Sequence, residues 1–189
     1  MKNIISIFIL VLSIMTCKAQ TYPLNTFFKN VPENSYMKDL DNLLPPYVGT
    51  YKATYQGNEI TLYITKEDKK LKISSKNKKY YQDVLHIKYT VKKLSTGAIL
   101  QNTQNGTTQG NEIKSIGTYV FDNNAIAFIY SGTNCGVGNG SIKLKKPADN
   151  QVSWSFYPDS SLLYEPNCPS SVDKTVYLPV TENLIFTKQ

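Results

Sequence analysis

Apolar and polar positions divide the 189-residue chain into three stretches. The first, Ile4 to Met15, is a largely apolar run of 12 residues, interrupted only by Ser6 and Ser13, behind one positive charge, Lys2. The second, Gln20 to Pro46, keeps no steady period. It holds one helical candidate, which Asn34 or Ser35 can cap, in which Met37, Leu40 and Leu44 fall at helical spacing, and which Pro45-Pro46 stops. From Tyr47 onward the period is two. Tyr51, Ala53 and Tyr55 alternate with polar neighbours, Gln56-Gly57-Asn58-Glu59 supplies turn residues, and Ile60, Leu62 and Ile64 return, which predicts a hairpin. Leu85, Ile87, Tyr89 and Val91 form one face of the next strand, with His86, Lys88, Thr90 and Lys92 on the other. Further strands are expected from Ile99 to Thr103, from Ile113 to Phe121 and from Ala125 to Tyr130. Others fall around Ile142 and Leu144, at Val152, Trp154 and Phe156, and near Leu184 to Thr187.

About eight to ten short strands, with turn clusters every ~8–12 residues and hardly any helix, define an all-β fold. Its form is a small antiparallel barrel, lipocalin-like or calycin-like, or a sandwich, with a short N-terminal helix in front. The shortness of the strands and the tyrosines on both faces favour the barrel. The expected organisation is a leader over 1–19, an N-terminal extension with the short helix over 20–46, acting as a lid or plug, and one all-β domain over 47–189.

Lys2, the apolar run and Thr16-Cys17-Lys18-Ala19-Gln20 have the order of a secretory signal peptide. A run of 12 residues falls short of the roughly 20 that a membrane helix needs, so no transmembrane segment is expected in the mature protein. Two processing routes compete. Cys17 and Ala19 suit an ordinary signal peptidase that leaves Gln20 first, whereas Ile14-Met15-Thr16-Cys17 is an imperfect lipobox that would leave a lipidated Cys17. The protein is therefore expected to be exported, secreted or periplasmic, with an outer-membrane lipoprotein as the alternative. Either route leaves two cysteines, Cys135 and Cys168. In an oxidising space such a pair forms a disulfide, which by loop entropy contributes about 3–4 kcal/mol.

Composition narrows the function more than it identifies one. Hydrophobic residues at 41% and charged residues at 19% exclude a wholly disordered chain. There is one histidine and no arginine, which leaves most His-based nucleophile relays without parts and removes the usual bidentate reader of phosphates and bases. No nucleic acid partner is expected, and no cofactor or metal. Loss of Lys2 and Lys18 with the leader lowers the net charge from +7 to +5, a mildly basic balance.

Ser35-Tyr36-Met37-Lys38-Asp39, Tyr47-Val48-Gly49-Thr50-Tyr51, Tyr55-Gln56-Gly57-Asn58-Glu59-Ile60, Thr133-Asn134-Cys135-Gly136-Val137-Gly138 and Leu184-Ile185-Phe186-Thr187-Lys188-Gln189 occur in this order. Together they resemble an uncharacterised family of small exported proteins from Bacteroidota, a domain of unknown function, over nearly the whole chain. The resemblance implies export and an all-β fold; it implies no activity and no site residues.

The candidate chemistry is sparse. His86 shares a polar strand face with Lys88 and Lys92. Glu59, Glu67, Asp68, Asp122, Asp149 and Asp173 fall in expected turns or loops, Glu112 precedes a strand, and Asp159 and Glu165 lie near Cys168. A small hydrolase or isomerase built on loop carboxylates and tyrosines is the alternative function, although no spacing singles out a pair. Lys66, Lys69, Lys70, Lys72, Lys76, Lys78 and Lys79 place seven charges within fourteen residues beside Tyr80 and Tyr81. That run suits an anionic surface, or a solvated edge that keeps other chains from pairing. Cys135-Gly136-Val137-Gly138-Asn139-Gly140 is followed by a strand, so it is a turn and not a phosphate loop. Asn105-Gly106-Thr107 and Asn139-Gly140-Ser141 match a glycosylation sequon. Among 14 tyrosines, Tyr51 and Tyr89, with Trp154, are the candidates to line a cavity for a small apolar or sugar-like ligand. The leading expectation is a non-catalytic envelope or secreted barrel that binds a small apolar molecule, an envelope glycan or lipid, or an anionic surface.

Overall fold

The structure is a computed structural model that describes residues 20–104, 112–119, 121–122, 125–159 and 168–189. The leader with Cys17, the Asn105 sequon, Asn123-Asn124 and Glu165 lie outside the described residues. Eight antiparallel strands close into a barrel: β3 (Gly49–Tyr55), β4 (Asn58–Ile73), β5 (Lys79–Lys93), β7 (Ile113–Tyr119), β8 (Ala125–Tyr130), β9 (Gly140–Ala148), β10 (Gln151–Pro158) and β11 (Leu184–Lys188). Each pairs with the next, and β11 returns to β3 through Thr187 opposite Lys52 and Lys188 opposite Tyr51. Closure leaves the ring without free edges.

Three short strands decorate one seam. β1 (Thr21–Pro23) lies parallel to β2 (Tyr36–Lys38), β2 lies parallel to β5, and β6 (Ile99–Asn102) pairs with the far end of β5. The second edge of β5 thus serves three partners in turn: β2 at Tyr81 and Gln82, β7 at His86 and Ile87, and β6 from Thr90 to Lys92.

The inward faces carry the alternation. Tyr51, Ile60, Leu62, Leu85, Tyr89, Val91, Ile113, Phe128, Leu144, Trp154 and Phe186 belong to one buried cluster. Each large apolar side chain taken out of water there contributes about 1.5–3 kcal/mol. An aromatic chain crosses the interior: ring centroids are 6.4 Å apart for Tyr89–Tyr130, 5.8 Å for Tyr130–Phe156, 6.3 Å for Phe156–Trp154 and 5.9 Å for Trp154–Phe186. Leu24, Val31, Met37 and Leu44 join the same cluster, so the N-terminal extension packs as part of the domain.

Two expectations are corrected. The expected helix between Asn34 and Leu44 is absent; the described chain holds only three-residue 3-10 turns, at Phe28–Asn30, Pro45–Tyr47 and Asn134–Gly136. Asn34 and Asn42 adopt left-handed φ values of 62° and 52°, and the Asp39 carboxylate accepts the Leu43 and Leu44 N–H groups at 2.8 and 2.9 Å. A short polar side chain that captures nearby backbone donors outcompetes a helix. Glu67 and Asp68, expected in turns, lie in β4, because β4 and β5 continue to pair as far as Ile73 opposite Lys79; Glu59, also expected in a turn, is already in β4, between Thr54 of β3 and Lys92 of β5.

The disulfide is present. Cys135 and Cys168 are joined at an S–S distance of 2.06 Å, which ties the β8–β9 loop to the chain that leads into β11.

Candidate functional site

Tyr51, Tyr89 and Trp154 are completely buried and belong to the packing of the core. Their polar atoms are occupied by the protein: the Tyr89 and Tyr130 hydroxyls lie 3.1 Å apart, Trp154 Nε1 donates to the Pro179 carbonyl at 2.9 Å, and the Tyr51 hydroxyl donates to the Pro46 carbonyl at 3.3 Å. Burial pushes the Tyr51, Tyr89 and Tyr130 phenols up, and that of Tyr47 to about 12, so the interior tyrosines stay neutral. These strand-centre aromatics are part of the packed core of the barrel.

Among the described residues the buried carboxylates are two that the spacing of acidic residues did not single out, Asp39 and Asp83, at 8% and 2% exposure. Asp83 sits opposite the β4 bulge between Glu67 and Lys70. It accepts the N–H groups of Asp39 and Lys69, both at 2.9 Å, and the Tyr36 hydroxyl. Burial alone would raise its pKa, but these donors, with Lys66 nearby, outweigh it and hold the carboxyl below its ordinary value. Burial and the bond to Asp83 push the Tyr36 phenol far up. The group is a clasp that fastens the extension to the barrel. Its sequence signal was Asp83 two residues before Leu85, on the same alternating face as Leu85–Val91, since Asp is depleted in strands.

His86 is half-buried, with Nε2 2.9 Å from Glu67 Oε2. Lys70 pairs with the other Glu67 oxygen at 3.1 Å. Burial lowers the His86 pKa against the pull of Glu67, and Lys70 and Lys114 add to the lowering.

The lysine run forms the projecting end of the β4–β5 hairpin. Lys66 pairs with Asp68 and Lys70 with Glu67. Lys69 lies over the rings of Tyr36 and Tyr81, at 5.9 and 5.4 Å from their centroids. Lys72 has its pKa lowered by burial and by neighbouring Lys114. Among the described residues, Lys69, Lys72, Lys76, Lys78 and Lys79 form no ion pair. The tip also carries apolar side chains that sequence reasoning overlooked. Lys78 Nζ donates to the carbonyls of Phe28 and Lys29 at 3.0 and 3.4 Å, and Asn34 N donates to the Lys79 carbonyl at 2.8 Å. This packs the Phe27–Asn34 loop, with its acidic Glu33, beside the hairpin end. Phe27, Phe28, Leu71 and Ile73 are there 58%, 40%, 46% and 60% exposed. Phe27 and Phe28 meet edge to face at 5.4 Å, with Lys29 Nζ 5.6 Å from the Phe27 ring centre.

Fold and site together define an eight-stranded antiparallel barrel with a clasped N-terminal extension and a basic, aromatic hairpin tip. The chain belongs to the family of unknown function DUF6705, whose model matches residues 1–189. No curated protein and no solved structure matches it. Among the described residues no helix is long and apolar enough to cross a membrane, and no group of His, Cys, Asp and Glu has the arrangement of a metal site.

Proposed function

We propose that this protein is an exported, non-catalytic barrel of the cell envelope that docks on an anionic lipid surface through the tip of the β4–β5 hairpin. The observation that carries the reading is the juxtaposition of exposed Phe27, Phe28 and Ile73 with Lys29, Lys76, Lys78 and Lys79 on a projection from the barrel. A lysine close to an anionic bilayer contributes about 1 kcal/mol, and aromatic side chains entering the interface add apolar burial. Export is supported by the signal-like order of residues 1–19 and by the Cys135–Cys168 disulfide. A non-catalytic role is supported by the two buried carboxylates, which are engaged by backbone N–H groups.

Co-sedimentation with phosphatidylglycerol-containing vesicles tests this, using the protein as isolated from the cells that make it. Binding should exceed that to pure phosphatidylcholine vesicles and fall with salt. Lys76→Glu with Lys79→Glu should abolish the difference, and Phe27→Ser with Phe28→Ser should weaken retention at high salt. Equal binding to both vesicle types, or binding untouched by the lysine changes, overturns the proposal.

A further inference from the structure

A second site lies away from the hairpin tip, where the turn between β3 and β4 faces the chain that leads into β11. A cleft of about 370 Å³ opens there, lined by Tyr55, Gln56 and Asn58 on one side and by Thr175, Val176, Tyr177, Leu178 and Val180 on the other. None of these residues is charged. The lining combines two phenol rings, two carboxamides, a hydroxyl and three aliphatic side chains. That mixture of apolar area with neutral donors and acceptors suits a ligand that is itself neutral and rich in hydroxyl groups. We propose that this cleft binds a neutral saccharide.

The walls are fixed before any ligand arrives. On the β11 side, Trp154 Nε1 holds the Pro179 carbonyl at 2.9 Å and Phe156 N donates to the Thr181 carbonyl at 3.0 Å. The Tyr177 hydroxyl donates to Asp173 Oδ2 at 2.7 Å, and Asn134 Nδ2 donates to the Asp173 carbonyl at 2.8 Å, beside the Cys135–Cys168 bond. Across the cleft the Tyr55 hydroxyl donates to the Val180 carbonyl at 3.1 Å, and Gln56 Nε2 donates to the Tyr55 hydroxyl at 3.3 Å. A single relay, Gln56 to Tyr55 to Val180, therefore spans both walls. A preformed site of this kind spares the ligand the cost of ordering it.

Gln56 adds an independent pointer. It and Gly57 make the two-residue turn between paired Tyr55 and Asn58, with φ values of 47° and 76°. Such turns favour Asn or Gly at the first position, because a longer L side chain is strained at positive φ. Strain held at the lip of a cleft is a mark of function. The longer amide stands beside the Tyr55 hydroxyl and, among the described residues, keeps its Oε1 without a protein partner.

Saturation-transfer NMR with maltose and with N-acetylglucosamine at millimolar concentration, against glucuronate as the charged control, tests the assignment. Transfer to a neutral sugar is expected and transfer to glucuronate is not. Tyr177→Leu should weaken binding about tenfold, the loss of one well-placed polar and aromatic contact. Gln56→Gly should also weaken it, while melting at or above the wild-type temperature because it relieves the turn. Lys76→Glu with Lys79→Glu should leave sugar binding unchanged, which separates this site from the vesicle-docking tip. Absence of transfer to either neutral sugar, equal transfer to glucuronate, or binding indifferent to both cleft variants overturns the proposal.

Discussion

Replacement of Asp83 probes how the N-terminal extension is held. The carboxylate is 2% exposed and accepts two backbone N–H groups and one phenol. Hydrogen bonds to a charged group contribute about 1.5–3 kcal/mol each, and they are not additive. Asp83→Ala leaves one buried and two part-buried donors without their acceptor, so the expected loss is about 2–4 kcal/mol. Asp83→Asn keeps one acceptor oxygen but turns an N–H toward a donor, and should lose about 2 kcal/mol. The pH dependence has a definite sign. Because the folded-state pKa of Asp83 is depressed, its contribution is present above the ordinary carboxylate pKa of about 4 and is lost as pH falls through the lower folded value. Urea unfolding from pH 7 down to pH 3 should therefore show wild type losing stability on acidification, and Asp83→Asn losing less. Hydrogen exchange locates the damage: amides of β1 and β2 should open first, before the barrel strands, since the clasp ties the extension to β5 and the β4 bulge. An Asp83→Asn variant with wild-type stability at pH 7 and the same acid slope would refute this account.

Other consequences follow from the core and the loops. Trp154→Ala should cost about 3–5 kcal/mol in denaturant unfolding, since it opens a cavity between Phe156 and Phe186 and leaves the Pro179 carbonyl without its donor. Cys135→Ser with Cys168→Ser removes a cross-link of sequence separation 33 and should lower stability by about 3–4 kcal/mol, while the unreduced wild type should show no labelled thiol at either position after unfolding. Gly132→Ala should destabilise the β8–β9 loop by more than about 2 kcal/mol: φ is 90°, and the new Cβ would meet the Gly136 backbone at 2.4 Å. A Gly132→Ala protein that melts like wild type would refute the close backbone approach.

Much of the architecture is a local property of the chain and was therefore legible in it. Period-two alternation in Tyr51–Tyr55, Leu85–Val91 and Val152–Phe156 marked these segments as strands and sorted their side chains onto two faces, because successive side chains of a strand point to opposite sides whatever its partner. The bond between Cys135 and Cys168, the two cysteines beyond the apolar N-terminal run, was likewise expected from their number. What the alternation left open is everything that depends on partners distant in sequence. Closure of β11 on β3, the three-way division of the β5 edge and the clasp of Asp39 on Asp83 are long-range pairings. The Asn34–Leu44 segment shows the consequence: its helical spacing is real, but Asp39 and two left-handed asparagines satisfy the backbone another way once β5 is there to pair with β2. The same holds for function. That a lysine-rich stretch lies next to tyrosines can be read along the chain, but the approach of Phe27 and Phe28 to Lys78, and of Gln56 to Tyr177 across one cleft, comes from the closed barrel, because residues so far apart in sequence meet only when it forms.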